Sequence, residues 1–146
     1  MDISVCIVNL NSIKYLKRCL ESLKKGIRDN SFEVIIVDNN SKDGSISYLE
    51  NFTEFKIELI KNKFNSGYTK AINQALKKSS GEHILVLNPD SILQDKSIDK
   101  ILMHSRRNKK IGVIGPKVVD EFGNFQASCR RGIATPMAVF SYFTGL

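Results

Sequence analysis

The sequence predicts an α/β fold with a mostly parallel, Rossmann-like sheet and helices on both of its faces. Short apolar runs alternate with segments whose apolar residues recur every three or four positions, as strands alternate with amphipathic helices. The apolar runs are nearly continuous, as expected of parallel strands that are covered on both sides. The chain has 146 residues, of which 42% are hydrophobic, so we expect one domain with a core of its own.

Five strands and four helices follow from these patterns. The predicted strands cover residues 3–8, 32–37, 57–60, 83–87 and 111–115. Amphipathic helices are marked by apolar residues running from Ile13 to Ile27, Ile46 to Phe52, Ala71 to Leu76 and Ile98 to Leu102. Gly26 and Gly81 are expected to end the first and third helices, while Ser41 and Ser97 are expected to cap the second and fourth.

The pattern changes after Pro116. Residues 118–126 predict a hairpin about a Gly-Asn turn, and the tail from Gly132 to Leu146 is apolar. We therefore divide the chain into a core, residues 1–115, and the incomplete beginning of a second half, residues 116–146, within one domain.

Composition limits the functional classes. The formal net charge of +7 favours anionic partners. The basic residues are scattered without interleaved aromatics, which argues against nucleic acid. Three cysteines without a CxxC pattern argue against zinc and disulfides. No apolar stretch is long enough to span a membrane and no signal peptide is visible, so we expect a cytoplasmic protein.

Polar residues follow four successive predicted strands, on the edge of the sheet where open α/β folds bind ligands. They lie in Asn9–Asn11, Asp38–Asn40, Asn65–Gly67 and Asn88–Asp90. Turn formation explains each group alone, but four in succession favour a binding site. Amides can read a nucleobase, and a carboxylate can accept from a base N–H or a ribose hydroxyl. A carboxylate can also hold a divalent cation against phosphate oxygens.

Four segments in this order resemble the N-terminal part of family 2 glycosyltransferases, inverting enzymes with the GT-A fold, and most of all the bacterial rhamnosyltransferase type. The matching segments are residues 5–11 (VCIVNLN), 36–45 (IVDNNSKDGS), 65–73 (NSGYTKAIN) and 87–90 (LNPD). Weaker matches extend the resemblance over residues 115–117 (GPK), 123–126 (GNFQ) and 128–131 (SCRR).

The resemblance implies a site for a nucleoside-diphosphate sugar, a dTDP- or UDP-sugar, in the core. The residues implied in donor binding are Val8, Asn9, Asn11, Asp38, Asn39, Asn40, Asn65, Gly67, Lys70 and Asn88. Asp38, with a neighbouring asparagine, would contact base and ribose, while Lys70 or Arg130 and Arg131 would meet the diphosphate. Asp90 would be the ligand of Mg²⁺ or Mn²⁺, at the position of the family's DxD motif.

Two positions differ from the family's pattern. Asn88 replaces the first aspartate of DxD, which removes one charge from the metal site. At the second strand the usual Asp-Asp pair is Asp38-Asn39, so if the second position reads the base, the contact belongs to Asn39 rather than Asp38.

The implied function is sugar transfer to a saccharide or lipid-linked acceptor in cell-surface polysaccharide synthesis, with rhamnose as the suggested sugar and peripheral contact at the inner face of the membrane. The family's general base would lie in an acidic motif beyond Leu146. We therefore expect a C-terminally truncated fold that binds donor but transfers sugar poorly. Two alternatives remain open: a non-catalytic nucleotide-binding module and a sugar-phosphate nucleotidyltransferase.

Overall fold

The computed structural model describes residues 1–126, 129 and 135–144. The chain forms two compact units, Met1–Lys110 and Ile111–Leu146. The elements of the first unit are β1 (Ile3–Asn9), α1 (Ile13–Gly26), β2 (Phe32–Asp38), α2 (Ser45–Glu50), β3 (Ile57–Lys61), α3 (Tyr68–Lys78), β4 (His83–Val86) and α4 (Ser97–Arg107).

The first unit is built on one sheet whose four strands are all parallel, in the order β3-β2-β1-β4. Because β1 lies between β2 and β4, the loops that follow these strands are neighbours at one edge. The register pairs Asn9 with Asp38, so the polar ends of β1 and β2 lie side by side. The predicted parallel sheet is confirmed.

Helices cover both faces of the sheet, as predicted. Strand residues alternate between two apolar clusters. Ile7 and Ile36 pack in the cluster that includes α1 residues such as Leu16 and Leu20. Ile35 lies in the other cluster, with Ala71 and Ala75 of α3.

Two predicted helix caps are wrong. The residue before α2 is Gly44, with a φ of 89°, while the Ser41 hydroxyl accepts hydrogen bonds from Asn9 at the end of β1 and from Asn11 in the loop that follows. The residue before α4 is Lys96, with a φ of 51°, and Ser97 is already the first helical residue. In both cases the position of the chain reversal, rather than the best capping side chain, sets the start of the helix.

The predicted fifth strand is also wrong. Residues 111–115 belong to none of the strands in the described part of the chain, and the side chain of Val113 is 95% exposed. An apolar run becomes a strand only when a neighbour pairs with its backbone, so the pattern alone was insufficient. Gly81 lies beyond the end of α3 at Lys78, in the loop that packs against the backbone of Ser4.

The second unit contains the predicted hairpin in a reduced form. A single antiparallel bridge joins Val119 and Phe125, and Gly123 has the positive φ of 83° that the turn requires. A further helix, α5, covers Pro136–Thr144 in the apolar tail. Arg130 and Arg131 lie outside the described residues. Within the described residues, no helix combines the length and hydropathy needed to cross a bilayer.

Candidate functional site

A cavity of about 670 Å³ lies in the first unit where the loops after all four strands meet. Its lining residues are Val8, Leu10, Asn11, Ser12, Tyr15, Asn39, Asn65, Gly67, Tyr68, Asn88, Pro89 and Asp90. Seven of the residues predicted to bind donor or metal are among them: Val8, Asn11, Asn39, Asn65, Gly67, Asn88 and Asp90. The volume is that of a small-molecule site. The parallel sheet therefore brings four sequence segments to one cavity.

Four predicted residues do not line this cavity in the described structure. Asn9 and Asp38 have no exposed surface. Asn40 is half-buried, and its side-chain oxygen accepts a hydrogen bond from Lys42 Nζ at 2.7 Å. Lys70 is exposed on the first turn of α3. Their roles in ligand binding remain predictions.

The ends of β1 and β2 are joined by a buried hydrogen-bond network. The Asp38 carboxylate accepts from Asn9 Nδ2 at 2.7 Å and from the Ser41 backbone N–H at 2.8 Å. The Ser41 hydroxyl accepts from Asn9 Nδ2 at 3.0 Å and from the Asn11 backbone N–H at 2.9 Å. The network places Asn11 against the loop after β2.

A second carboxylate fixes the start of α1. Asp43 accepts from the Ile13 backbone N–H at 2.8 Å, and its other oxygen accepts from the backbone and hydroxyl of Ser45. Burial alone would raise the pKa of Asp43, but these hydrogen bonds outweigh burial and lower it. Asp43 lies in the segment, residues 36–45, that resembles the family. It was not predicted as a site residue, because the sequence does not show that one carboxylate bonds the first residues of both α1 and α2.

Asn39 is held by amides and hydroxyls rather than by charge. Its Oδ1 accepts from Asn62 Nδ2 at 2.8 Å and from Ser66 Oγ at 3.2 Å. Asn62 in turn exchanges two hydrogen bonds with Gln74 of α3. Sequence reasoning missed Asn62 and Gln74, which lie far apart in the chain. Asn39 is only 2% exposed, and its Nδ2 donates to the Gly67 carbonyl at 3.4 Å, so its side chain is fixed in the wall of the cavity by bonds inside the protein.

The first turn of α3 lies at the cavity. Gly67 precedes it with a φ of 82° and a ψ of 160°, and its N–H donates to Asn65 Oδ1 at 2.9 Å. The residue before α3 is a glycine and so offers no side chain to cap the first N–H groups of the helix. Because these groups carry partial positive charge, this helix end favours an anion such as a phosphate.

Asn88, Pro89 and Asp90 form a turn after β4, and the side chains of Asn88 and Asp90 are both exposed at the cavity. The Asn88 carbonyl accepts from the Ser91 N–H at 3.1 Å and from the Cys19 thiol at 3.6 Å. Burial, together with the nearby charge of Asp90, raises the pKa of Cys19 to about 12. Cys19 is therefore an uncharged core residue below this turn.

The oxygen atoms of these side chains are suitable ligands for a hard divalent cation. Asp90 offers a carboxylate and Asn88 an amide oxygen, and Mg²⁺ is commonly held by one or two carboxylates plus phosphate oxygens and water. In the described part of the chain, no three His, Cys, Asp or Glu side chains cluster as a self-sufficient metal site. These residues therefore fit a metal that is bound together with a phosphate ligand.

Sequence reasoning missed the apolar part of the cavity wall. Leu10, Tyr15 and Tyr68 line the cavity, with exposed fractions of 39%, 58% and 51%. Tyr15 and Tyr68 lie near the N-terminal ends of α1 and α3. Tyr15 stands off the apolar stripe of α1, which was a signal in the sequence, whereas Tyr68 is in line with Ala71 and Ala75 of α3 and gave none. Aromatic rings at a cavity provide flat surfaces for a ligand ring.

A parallel α/β sheet with a cavity beyond the carboxyl ends of its strands defines a class of ligand-binding folds that includes many nucleotide-binding proteins. Residues 4–140 match the sequence profile of Glycosyl transferase family 2, and the chain belongs to this family.

Similar proteins include the uncharacterized glycosyltransferase YfnE of Bacillus subtilis, which is 37% identical over 99 residues; the match covers 67% of this chain and 25% of that protein. The poly(ribitol-phosphate) beta-N-acetylglucosaminyltransferase TarP of Staphylococcus aureus is 27% identical over 144 residues, covering 94% of this chain and 40% of TarP. The chain thus spans well under half the length of these relatives.

Solved structures agree on the fold. S. aureus TarS (residues 1–349), crystallised with UDP and with UDP-GlcNAc, has a TM-score of 0.67 and 28% identity, covering 75% of this chain and about a third of TarS 1–349. A mannosyltransferase of Pyrobaculum calidifontis in complex with GDP-Man and Mn²⁺ has a TM-score of 0.61 and 20% identity, covering 77% of this chain and 33% of its own. The predicted GT-A fold class is confirmed.

Proposed function

We propose that this chain is the donor-binding part of an inverting glycosyltransferase that uses a nucleoside-diphosphate sugar. The observation that carries the proposal is the cavity, where seven predicted site residues from four strand ends meet. The crystallised complexes of TarS with UDP and UDP-GlcNAc support a UDP-sugar as the donor. A dTDP-sugar, including dTDP-rhamnose, is the alternative that the sequence resemblance favours.

Each part of the cavity has chemistry that suits one part of such a donor. The exposed amide of Asn11 can hydrogen-bond base or ribose, and the ring of Tyr68 offers a surface for the base. The uncapped start of α3, with Lys70 in its first turn, suits the diphosphate.

Asp90, with Asn88 beside it, would hold Mg²⁺ or Mn²⁺. When bound, such an ion neutralises charge on the diphosphate leaving group. The contribution of this chain's own residues is to bind and orient the donor, with Asp90 providing the only carboxylate among the described residues that line the cavity.

The acceptor and location belong to the same proposal. We propose a saccharide or lipid-linked acceptor in cell-surface polysaccharide synthesis, in line with the similarity to TarP, a poly(ribitol-phosphate) beta-N-acetylglucosaminyltransferase. For location we propose the cytoplasm, with contact at the inner face of the membrane. The free thiols of Cys6 and Cys19 agree with a reducing compartment.

Calorimetric titration of this chain with UDP and dTDP, with and without Mn²⁺, tests the proposal. We expect binding that Mn²⁺ strengthens, and we expect Asp90→Ala to remove the effect of Mn²⁺. Asp95→Ala is the matched control, because Asp95 is exposed outside the cavity and pairs with Arg28 at 2.8 Å. Absence of binding by any nucleoside diphosphate would contradict the donor site, whereas binding that ignores Mn²⁺ would contradict only the role of Asp90.

A further inference from the structure

We infer that Asn9, Asp38 and Ser41 form a positioning cluster that fixes the shape of the donor cavity without contacting the donor. The inference rests on the proposed donor site and assigns Asp38 a different role from direct contact with base or ribose. Asn9 and Asp38 have no exposed surface, and Ser41 is 6% exposed. None of the three is among the described residues that line the cavity.

The Asp38 carboxylate is already satisfied inside the protein. One oxygen accepts from Asn9 Nδ2 at 2.7 Å and the other from the Ser41 N–H at 2.8 Å. A buried carboxylate accepts hydrogen bonds but donates none, so it is stable only among donors. Here both hydrogen-bond donors, Asn9 Nδ2 and the Ser41 N–H, belong to the protein. The Asp38 carboxylate therefore holds the end of β1 and the loop after β2 together.

Hydrogen bonds connect the cluster to Asn11 and Asn39 in the cavity wall. Asn11 N–H donates to the Ser41 hydroxyl at 2.9 Å, and Asn11 Oδ1 accepts from the Lys42 N–H at 2.7 Å. These contacts hold Asn11 at a φ of 51°, a left-handed conformation that costs other residues more. On the opposite side, Asn39 N–H donates to the Asn9 carbonyl at 2.9 Å.

Direct contact and positioning predict different results when the two side chains are exchanged. Asn9→Asp alone puts two buried carboxylates where Asn9 Nδ2 now donates to Asp38, so their repulsion should open the loop. Adding Asp38→Asn restores a hydrogen-bond donor opposite an acceptor, and the amide oxygen at position 38 can still accept from the Ser41 N–H. The Ser41 hydroxyl, which accepts from Asn9 Nδ2 at 3.0 Å in the unaltered chain, can donate to the carboxylate at position 9. If the Asp38 carboxylate contacts the donor nucleotide, the Asp38→Asn change removes that contact and cannot restore UDP binding.

The test is a UDP titration in the presence of Mn²⁺ on the unaltered chain, on Asn9→Asp and on Asn9→Asp/Asp38→Asn. We expect the single variant to bind UDP at least about tenfold more weakly, and the double variant to return to within about threefold of the unaltered chain. Glu33→Gln is the matched control, because Glu33 accepts from Ser4 and Ser80 at the other end of β2. It should lower stability and leave UDP affinity unchanged.

Amide hydrogen exchange at Asn11 and Lys42 provides the second measurement. The exchange rates of these two amides should rise in Asn9→Asp and return to those of the unaltered chain in the double variant. A double variant that has the exchange of the unaltered chain but binds UDP as weakly as Asn9→Asp would overturn the inference, because the carboxylate itself would then be needed.

Ser41→Ala gives an independent variant if the exchanged pair does not fold. It removes the hydroxyl that accepts from Asn9 and Asn11, so exchange at Asn11 should rise and UDP affinity should fall. Faster exchange with unchanged affinity would overturn the inference. If the unaltered chain binds no UDP, the proposed function fails; unchanged exchange at Asn11 in Ser41→Ala would then separately refute the cluster.

Discussion

Asn88 and Asp90 lie in one exposed turn at the cavity, and only one of them carries a charge. Divalent cation affinity rises with the number of charged oxygen ligands. A neutral amide at position 88 therefore leaves Asp90 and the ligand's phosphates to supply the negative charge around an ion. The site is expected to bind metal with its nucleotide rather than alone.

Asn88→Asp should strengthen UDP binding in the presence of Mn²⁺ by up to about tenfold, because a second carboxylate is added at the metal position. Without Mn²⁺, the same variant should bind UDP more weakly, since the new charge repels the diphosphate. Calorimetric titration under both conditions checks this pair of opposite effects. Weaker binding under both conditions would contradict a metal at this turn.

Glu33 provides a prediction on acid stability. The hydrogen bond from the Ser4 hydroxyl, aided by those from Ser80, lowers the pKa of Glu33 below its ordinary value of 4.5. The carboxylate therefore stabilises the fold fully above that value, and the stabilisation is lost as the pH falls through the lowered pKa.

Glu33→Gln should therefore be less stable than the unaltered chain at neutral pH and approach it in stability near pH 2–3. Urea unfolding between pH 2 and pH 7 measures the difference. Glu58→Gln is the control, because Glu58 forms an exposed ion pair, with its Oε1 at 3.5 Å from Lys78 Nζ. A stability difference for Glu33→Gln that stays constant over this range would refute the assignment.

At the scale of elements, the amphipathic patterns predicted where helices and strands lie but not how each one begins. The apolar residues of α1 fixed its face and length, because burial of that stripe dominates its stability. Ser41 and Ser97 were poor guides to α2 and α4, because Gly44 and Lys96 make the left-handed reversals at which these helices start. Such reversals depend on tertiary contacts that local sequence does not show.

Gly67 sets the start of α3 at the cavity. Its φ of 82° with a ψ of 160° is a combination essentially limited to glycine. Gly67→Ala should therefore destabilise the protein by about 1–3 kcal/mol, although the added methyl group would meet no atom within 4 Å.

Because Gly67 and Tyr68 line the cavity, Gly67→Ala should also weaken UDP binding. Urea unfolding and UDP titration measure the two effects. Gly112→Ala is the matched control, since Gly112 has equal space and is not among the positive-φ glycines. Equal stability of the two variants would show that the conformation of Gly67 is not the constraint.

At the scale of the molecule, the parallel sheet explains why much of the site was predictable. Successive parallel strands deliver their carboxyl ends to one edge, so residues of four distant segments were expected to meet, and seven of the predicted site residues line one cavity. The sequence did not show which of these side chains face the cavity. Asp38 is buried because the register sets Asn9 beside it and Ser41 folds over both.

The central claim is that the cavity holds a nucleoside diphosphate and a metal at Asp90. The most direct measurement is the paramagnetic broadening of backbone amide signals by substoichiometric Mn²⁺ in the presence of UDP. The account predicts the strongest broadening at Asp90 and Ser91, and little at Glu33, which lies near the opposite end of β2, about 17 Å along the strand from Asp38. Broadening centred elsewhere in the chain, or broadening that UDP does not change, would contradict the account.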